Sequence, residues 1–106
     1  GANNAASART NLGIAATSLY NGTLTSGSIT FNYGNYNFYV IIGRPSSTAS
    51  RASLVVPRIM LTTSAVAFQI ADESNYKSFN LSYSGSLVTL AMGNGAGQIN
   101  RVFGVN

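Results

Sequence analysis

From Thr17 onward the chain alternates apolar and small polar residues with a period of two, and this rhythm constrains its fold more than any other feature. Side chains on an extended strand point alternately to opposite faces, so a two-residue period describes a strand with one buried and one wet side. Ile29, Phe31 and Tyr33 alternate with Ser28, Thr30 and Asn32. Val66, Phe68 and Ile70 alternate with Ala67, Gln69 and Ala71, and Phe79, Leu81 and Tyr83 with Ser78, Asn80 and Ser82. Val88, Leu90 and Met92 follow the Gly85-Ser86 turn, and Asn94-Gly95-Ala96-Gly97 breaks the pattern. Ile99, Phe103 and Val105 share the last face, which Arg101 interrupts. Tyr36 to Ile42, after the Gly34-Asn35 turn, is apolar on both faces.

With Leu19 to Leu24 and Ala52 to Val56 added, the count is about eight short strands, the spacing of a sandwich or jelly roll. Two connections are longer than a tight turn: Gly43 to Ser50, and Pro57 to Ala65, where Pro57 closes a strand because it lacks a ladder donor. The expected fold is all-β: one antiparallel, jelly-roll-like β-sandwich over residues 17–106, behind a short helical stub over 1–16. In that stub Asn4 is a suitable N-cap, Gly13 a suitable helix stop, and Ala5, Ala8 and Leu12 fall at i, i+3 and i+7. Gly1 and Ala2 leave open whether the chain starts on an added dipeptide or at a cut within a longer protein.

Composition explains how such a domain stays in water. The chain has 106 residues, 45% of them hydrophobic and only 8% charged, against roughly 25% charged in an ordinary domain. Ser, Thr and Asn supply the polarity, which suits a surface partly covered by other subunits. The net charge of +4 comes from Arg9, Arg44, Arg51, Arg58, Lys77 and Arg101 against Asp72 and Glu73. These cations are spread along the chain, whereas nucleic acid calls for a concentrated phosphate-neutralising patch, so no nucleic-acid partner is expected. No stretch approaches the ~18 apolar residues of a spanning helix, so no membrane insertion is expected either.

Catalytic equipment is sparse. The chain contains no His and no Cys, which removes the commonest general base, the thiol nucleophile and most transition-metal ligands. Asp72 and Glu73 are its only carboxylates, and neighbours on a strand point to opposite faces, a poor arrangement for paired acid and base. Only an interface combining carboxylates of different chains would escape that argument. Glu73 to Lys77 reads as a polar hairpin tip, and the glycine-rich 93–97 stretch lacks the Lys-Ser/Thr and following helix of a phosphate loop. The expectation is therefore a binding or assembly module, not an enzyme, with no cofactor and no metal.

Recognition residues are more plentiful. Tyr33, Tyr36 and Tyr83 fall in phase with core positions, while Tyr20, Tyr39 and Tyr76 are the candidates for exposure. Arg44 and Arg51 flank Pro45-Ser46-Ser47-Thr48-Ala49-Ser50, which two guanidinium groups could turn into an anion clamp; two solvated loop charges are the plainer alternative. Loop composition thus nominates Tyr20, Arg44, Ser46, Arg51, Asn75, Tyr76 and Asn94 for binding.

The segment Asn4-Ala5-Ala6-Ser7-Ala8-Arg9-Thr10-Asn11-Leu12-Gly13-Ile14 resembles an alanine-rich motif of bacteriophage tail fibres, A-x-x-A-R-x-N-L-G, found where the shaft joins a following domain. The remainder, ending in Gln98-Ile99-Asn100-Arg101-Val102-Phe103-Gly104-Val105, is similar to the tip domains that close such fibres. The resemblance implies a homotrimer, a place in the virion, and adhesion to a bacterial surface polysaccharide or protein. A trimer would cover the second face of Tyr36 to Ile42 and set Ala5, Ala8 and Leu12 on its axis, with Tyr39 and Ile41 as further contacts. The alternatives are a capping and trimerisation module that touches no receptor, and a carbohydrate-binding module of a cell-surface protein. The family supplies no fixed set of binding residues.

Overall fold

A computed structural model describes residues 15–106; of the stub expected to be helical over 1–16, residues 1–14, with Ala5, Ala8 and Leu12, lie outside the described residues, and Ala16 already belongs to the first strand. Eight strands follow in order: β1 (Ala16–Leu24), β2 (Ser28–Asn32), β3 (Phe38–Arg44), β4 (Ala52–Pro57), β5 (Val66–Ala71), β6 (Tyr76–Ser84), β7 (Leu87–Gly95) and β8 (Gln98–Val105). One 3-10 turn, Arg58–Met60, lies between β4 and β5. Two four-stranded antiparallel sheets result, β1-β8-β3-β4 (sheet I) and β2-β7-β6-β5 (sheet II), and they form a β-sandwich.

The pairings β1–β8 and β2–β7 nest inside one another as in a jelly roll. A full roll would continue with β3–β6 and β4–β5; here the hairpins β3–β4 and β5–β6 take their place. The Gly34-Asn35 turn consequently carries the chain from one sheet to the other and closes no hairpin. Gly85-Ser86 does close one. Gly85 takes φ 60° at the first central position, as a two-residue primed turn requires.

Inward residues of the two sheets make one core: Tyr39, Ile41, Val56, Ile99 and Val102 against Phe31, Ile70, Phe79, Leu81, Val88 and Leu90. Each large side chain so buried contributes about 1.5–3 kcal/mol. The alternation expected for β2, β5, β6 and β7 matches these inward positions. Tyr33, Tyr36 and Tyr83 pack partly buried against the core, as their phase implies.

Two expectations about phase are corrected. Tyr39 and Ile41 are fully buried inside a single chain, so neither is exposed and neither can contact a second copy. They belong to the inward half of β3; the outward half is Phe38, Val40, Ile42 and Arg44. In β8, Ile42 faces Arg101 while Gly43 faces Ile99, which leaves Asn100 as an extra, bulged residue. The bulge shifts the period by one. Ile99 and Val102 both point inward, and Arg101, Phe103 and Val105 share the outer face, so Arg101 interrupts no core face.

Buried polar groups fix the two ends. Tyr39 donates its hydroxyl to the Tyr33 carbonyl, and burial raises its pKa to about 12 despite the nearby Arg58 cation. Arg58 lies 3.7 Å over the Tyr33 ring and donates to the carbonyls of Tyr33 and Gly34, closing the β2–β3 crossover. The Asn106 amide bonds the Ala15 carbonyl at 3.0 Å, so both borders of the described chain meet at this same end. The opposite end, called the loop end below, carries the connections 25–27, 45–51, 72–75 and 96–97.

Candidate functional site

Six of the seven residues nominated for binding gather at the loop end, because three of its connections meet there. Arg44 ends β3, Ser46 and Arg51 lie in the connection to β4, Asn75 and Tyr76 close the β5–β6 hairpin, and Asn94 is near the end of β7. Tyr20 does not join them. It faces Val102 in the middle of β1 and packs half-buried against the core.

Gly97 is the knot that holds these connections together. Its amide donates to the Tyr76 carbonyl at 3.2 Å. A Cβ there would strike the Arg44 carbonyl and come within 2.8 Å of the Lys77 Cβ, so only glycine lets β3 and β6 approach from both sheets. Beside it, Ser78 and Asn94 exchange hydrogen bonds: the Ser78 hydroxyl donates to the Asn94 carbonyl at 3.1 Å and accepts from its amide at 2.8 Å.

The hairpin tip is equally ordered. Asp72 accepts the amides of Ser74 (2.9 Å) and Asn75 (2.7 Å), and these bonds to the carboxylate hold its pKa below the ordinary value. Asp72 and Glu73 therefore sit on an exposed turn and not on a strand, and Asp72 is occupied as a turn cap. Tyr76 is 43% exposed at the base of this turn, in line with its expected exposure. Lys77 is not part of the polar tip: it turns inward, is 5% exposed, and donates to the Gly95 carbonyl at 3.1 Å.

Arg44 and Arg51 flank the β3–β4 connection one step beyond the Gly43–Ala52 pair. Arg44 donates to the Ser47 carbonyl at 3.3 Å, and Arg51 is exposed. Sequence reasoning missed a second polar group nearby. Gln98 and Asn100 are both buried, Asn100 Nδ2 donating to Gln98 Oε1 (2.8 Å) and to the Gly22 carbonyl (3.2 Å). Three buried side-chain atoms among the described residues have no partner, Arg44 Nε, Asn100 Oδ1 and Arg101 Nε, and all belong to neighbouring positions of β3 and β8. No sequence signal marks them, since their proximity depends on the bulge.

Among the described residues no three His, Cys, Asp or Glu side chains gather in a metal-holding group. No helix among them is long and apolar enough to cross a membrane. Chemically, then, the loop end offers hydroxyls, amides, one exposed phenol, two guanidinium groups and the two carboxylates of Asp72 and Glu73, a set suited to hydrogen-bonding and charge contacts. Compared with models of known families, with curated proteins and with solved structures, the chain matches none.

Proposed function

We propose that this chain is a trimeric tail-fibre tip of a bacteriophage, and that its loop end adheres to a polymer or protein on the bacterial surface. The observation that carries the reading is the polarity of the sandwich. The chain joins its preceding segment at Ala15, hydrogen-bonded to Asn106, while six of the seven nominated binding residues gather at the opposite end. A fibre shaft entering at one end leaves the other free to meet a cell. The alanine-rich 4–14 segment, similar to shaft–tip joints, stands where such a shaft would attach.

No reaction is needed for this work. Three modest sites on one axis raise avidity through effective concentration, which suits a repetitive envelope polymer. Labelled full chain applied to panels of whole bacteria, with isolated envelope polysaccharide as competitor, tests the reading. Strain-dependent binding that the polysaccharide displaces supports it; no binding to any strain by correctly assembled protein rejects it.

A second reading, a cap that registers fibre chains and touches no receptor, is favoured by the apolar outer side of sheet I. Exchanging this domain between fibres separates the two. Host range that follows the domain supports adhesion, and unchanged host range in intact virions supports the cap.

A further inference from the structure

The β3–β4 hairpin opens on a pair of like charges. Its last paired rung is Gly43–Ala52, so Arg44 and Arg51 are the next facing positions as the strands part. Arg44 continues the outward set Phe38, Val40 and Ile42, and Arg51 has the phase of exposed Ser53 and Val55. The loop between them folds back on itself, the Ala49 amide bonding the Ser46 carbonyl at 3.3 Å, which keeps its two ends together. Facing positions of an antiparallel pair have Cβ atoms about 4.5–5.5 Å apart, and like charges set there repel.

The cations around this pair bond neutral groups. Arg44 donates to the Ser47 carbonyl in a bond open to solvent. Arg101 faces Ile42 on the same outer side; it stacks 4.4 Å over the Phe103 ring and donates to the Ser18 hydroxyl at 3.3 Å. It therefore leans towards the middle of the sheet, adding its field without joining the pair. Lys77 stands behind, across Gly97 from the Arg44 backbone, and donates to the Gly95 carbonyl. The carboxylates Asp72 and Glu73 are on the β5–β6 hairpin of the other sheet, where Asp72 is engaged by the amides of Ser74 and Asn75. This corner of sheet I is thus electropositive, and hydroxyls of Ser46, Ser47, Thr48, Ser50 and Ser53 surround it.

We infer that Arg44 and Arg51 form an oxyanion site whose ligand is an acidic polysaccharide, held by its carboxylate or phosphate groups. The inference rests on the adhesive reading of the loop end and names the class of polymer bound there. An oxyanion takes guanidinium groups by parallel hydrogen bonds, so an anion between the two turns their repulsion into two attractions. Arg51 is exposed, and Arg44 meets the ligand through its terminal nitrogens, because its Nε is buried. The hydroxyls of the connection suit the neutral sugar groups that separate one charge of such a polymer from the next. Nucleic acid would call for a longer track of cations than this corner has.

Titration calorimetry of the full chain with polygalacturonate, with phosphomannan and with neutral dextran tests the proposal. At least one acidic polymer should bind, the tighter one identifying the anion, and affinity should fall as salt rises; dextran should not bind. Arg44→Gln and Arg51→Gln should each weaken binding by about tenfold or more, the worth of a hydrogen bond to a charged group. Arg51→Gln should leave the melting temperature unchanged or raise it, because it removes a repulsion. Arg44→Gln combined with Thr30→Arg, which returns the charge on the outer face of sheet II, should bind as weakly as Arg44→Gln alone. Binding of neither acidic polymer, equal binding of dextran, wild-type affinity in Arg51→Gln, or recovery through Thr30→Arg each overturns the site. Tighter binding of a single-stranded oligonucleotide than of either polymer overturns the choice of ligand. A chain that binds acidic polymer but no bacterium keeps this site and removes the adhesive reading. One that binds bacteria through a neutral polysaccharide, unaffected by Arg51→Gln, keeps adhesion and overturns the site.

Discussion

The two sheets present similar faces to the core and opposite faces to the outside. Sheet I turns Phe38, Val40, Ile42, Phe103 and Val105 outward, whereas sheet II turns out Ser78, Asn80, Ser82, Thr89 and Ala91. Sheet I interrupts these apolar side chains with Arg44 and Arg101, whereas sheet II meets water mainly through hydroxyls and amides. Core packing cannot be the origin of the difference, since either sheet would fill the interior equally well with polar outward residues. The outer side of sheet I is thus apolar for a reason the core does not supply, and that of sheet II is polar enough to meet water.

Four experiments bear on this contrast. The equality of the inner faces is tested by Ile41→Ala in sheet I and Leu81→Ala in sheet II. Each should cost about 2–5 kcal/mol in chemical unfolding, because each empties a fully buried site. A cost confined to one sheet would break the symmetry assumed for the core. Next in size, Gly97→Ala should destabilise by about 1–3 kcal/mol, since the added methyl forces apart segments that meet from both sheets. Thermal melting reads this directly.

The third concerns pH. The folded pKa of Tyr39, raised to about 12, exceeds its unfolded value near 10, so the folded state holds that proton more firmly. This contribution is fully present below pH 10 and is lost as pH climbs from 10 towards 12. Tyr39→Phe should flatten the alkaline fall in stability while lowering the plateau, as followed by denaturation at stepped pH. Smallest in folding energy is the outer-face exchange itself. Val40→Thr should shift the stability of the dissociated chain within about 0.5 kcal/mol, and yet reduce self-association, measured by light scattering. An equal loss of folding stability would show that Val40 serves the single chain after all.

Much of the fold was legible because the signal is local. Period-two alternation in β2, β5, β6 and β7, glycine at the turns and Pro57 at a strand end are each set by neighbours in sequence. Phase in β3 was not legible: with Phe38 to Ile42 apolar throughout, alternation carries no information, and inward Tyr39 and Ile41 cannot be told from outward Val40 and Ile42. Nor was the outward turn of Arg101, which depends on the extra residue Asn100 and on the partner strand it bulges against. At the candidate site, loop composition found the connections that meet, but not the inward turn of Lys77 or the buried Gln98–Asn100 pair. Those follow from which strands become neighbours, a property of topology that residue spacing does not encode. Nor was Asp72 read as the turn cap it is: adjacency to Glu73 suggested neighbours on a strand, whereas its carboxylate accepts the amides of Ser74 and Asn75.

The bond between the Asn106 amide and the Ala15 carbonyl has an evolutionary and practical consequence. A domain whose two borders touch can be spliced into a surface loop of another protein with little strain, because host strands a few ångströms apart suffice to receive it. Residues 15–106 thus have the end-to-end geometry that such a transfer requires. Recombination can exchange the connections at 45–51, 72–75 and 96–97 all at once, as a ready-folded unit, and leave the seam with the recipient untouched.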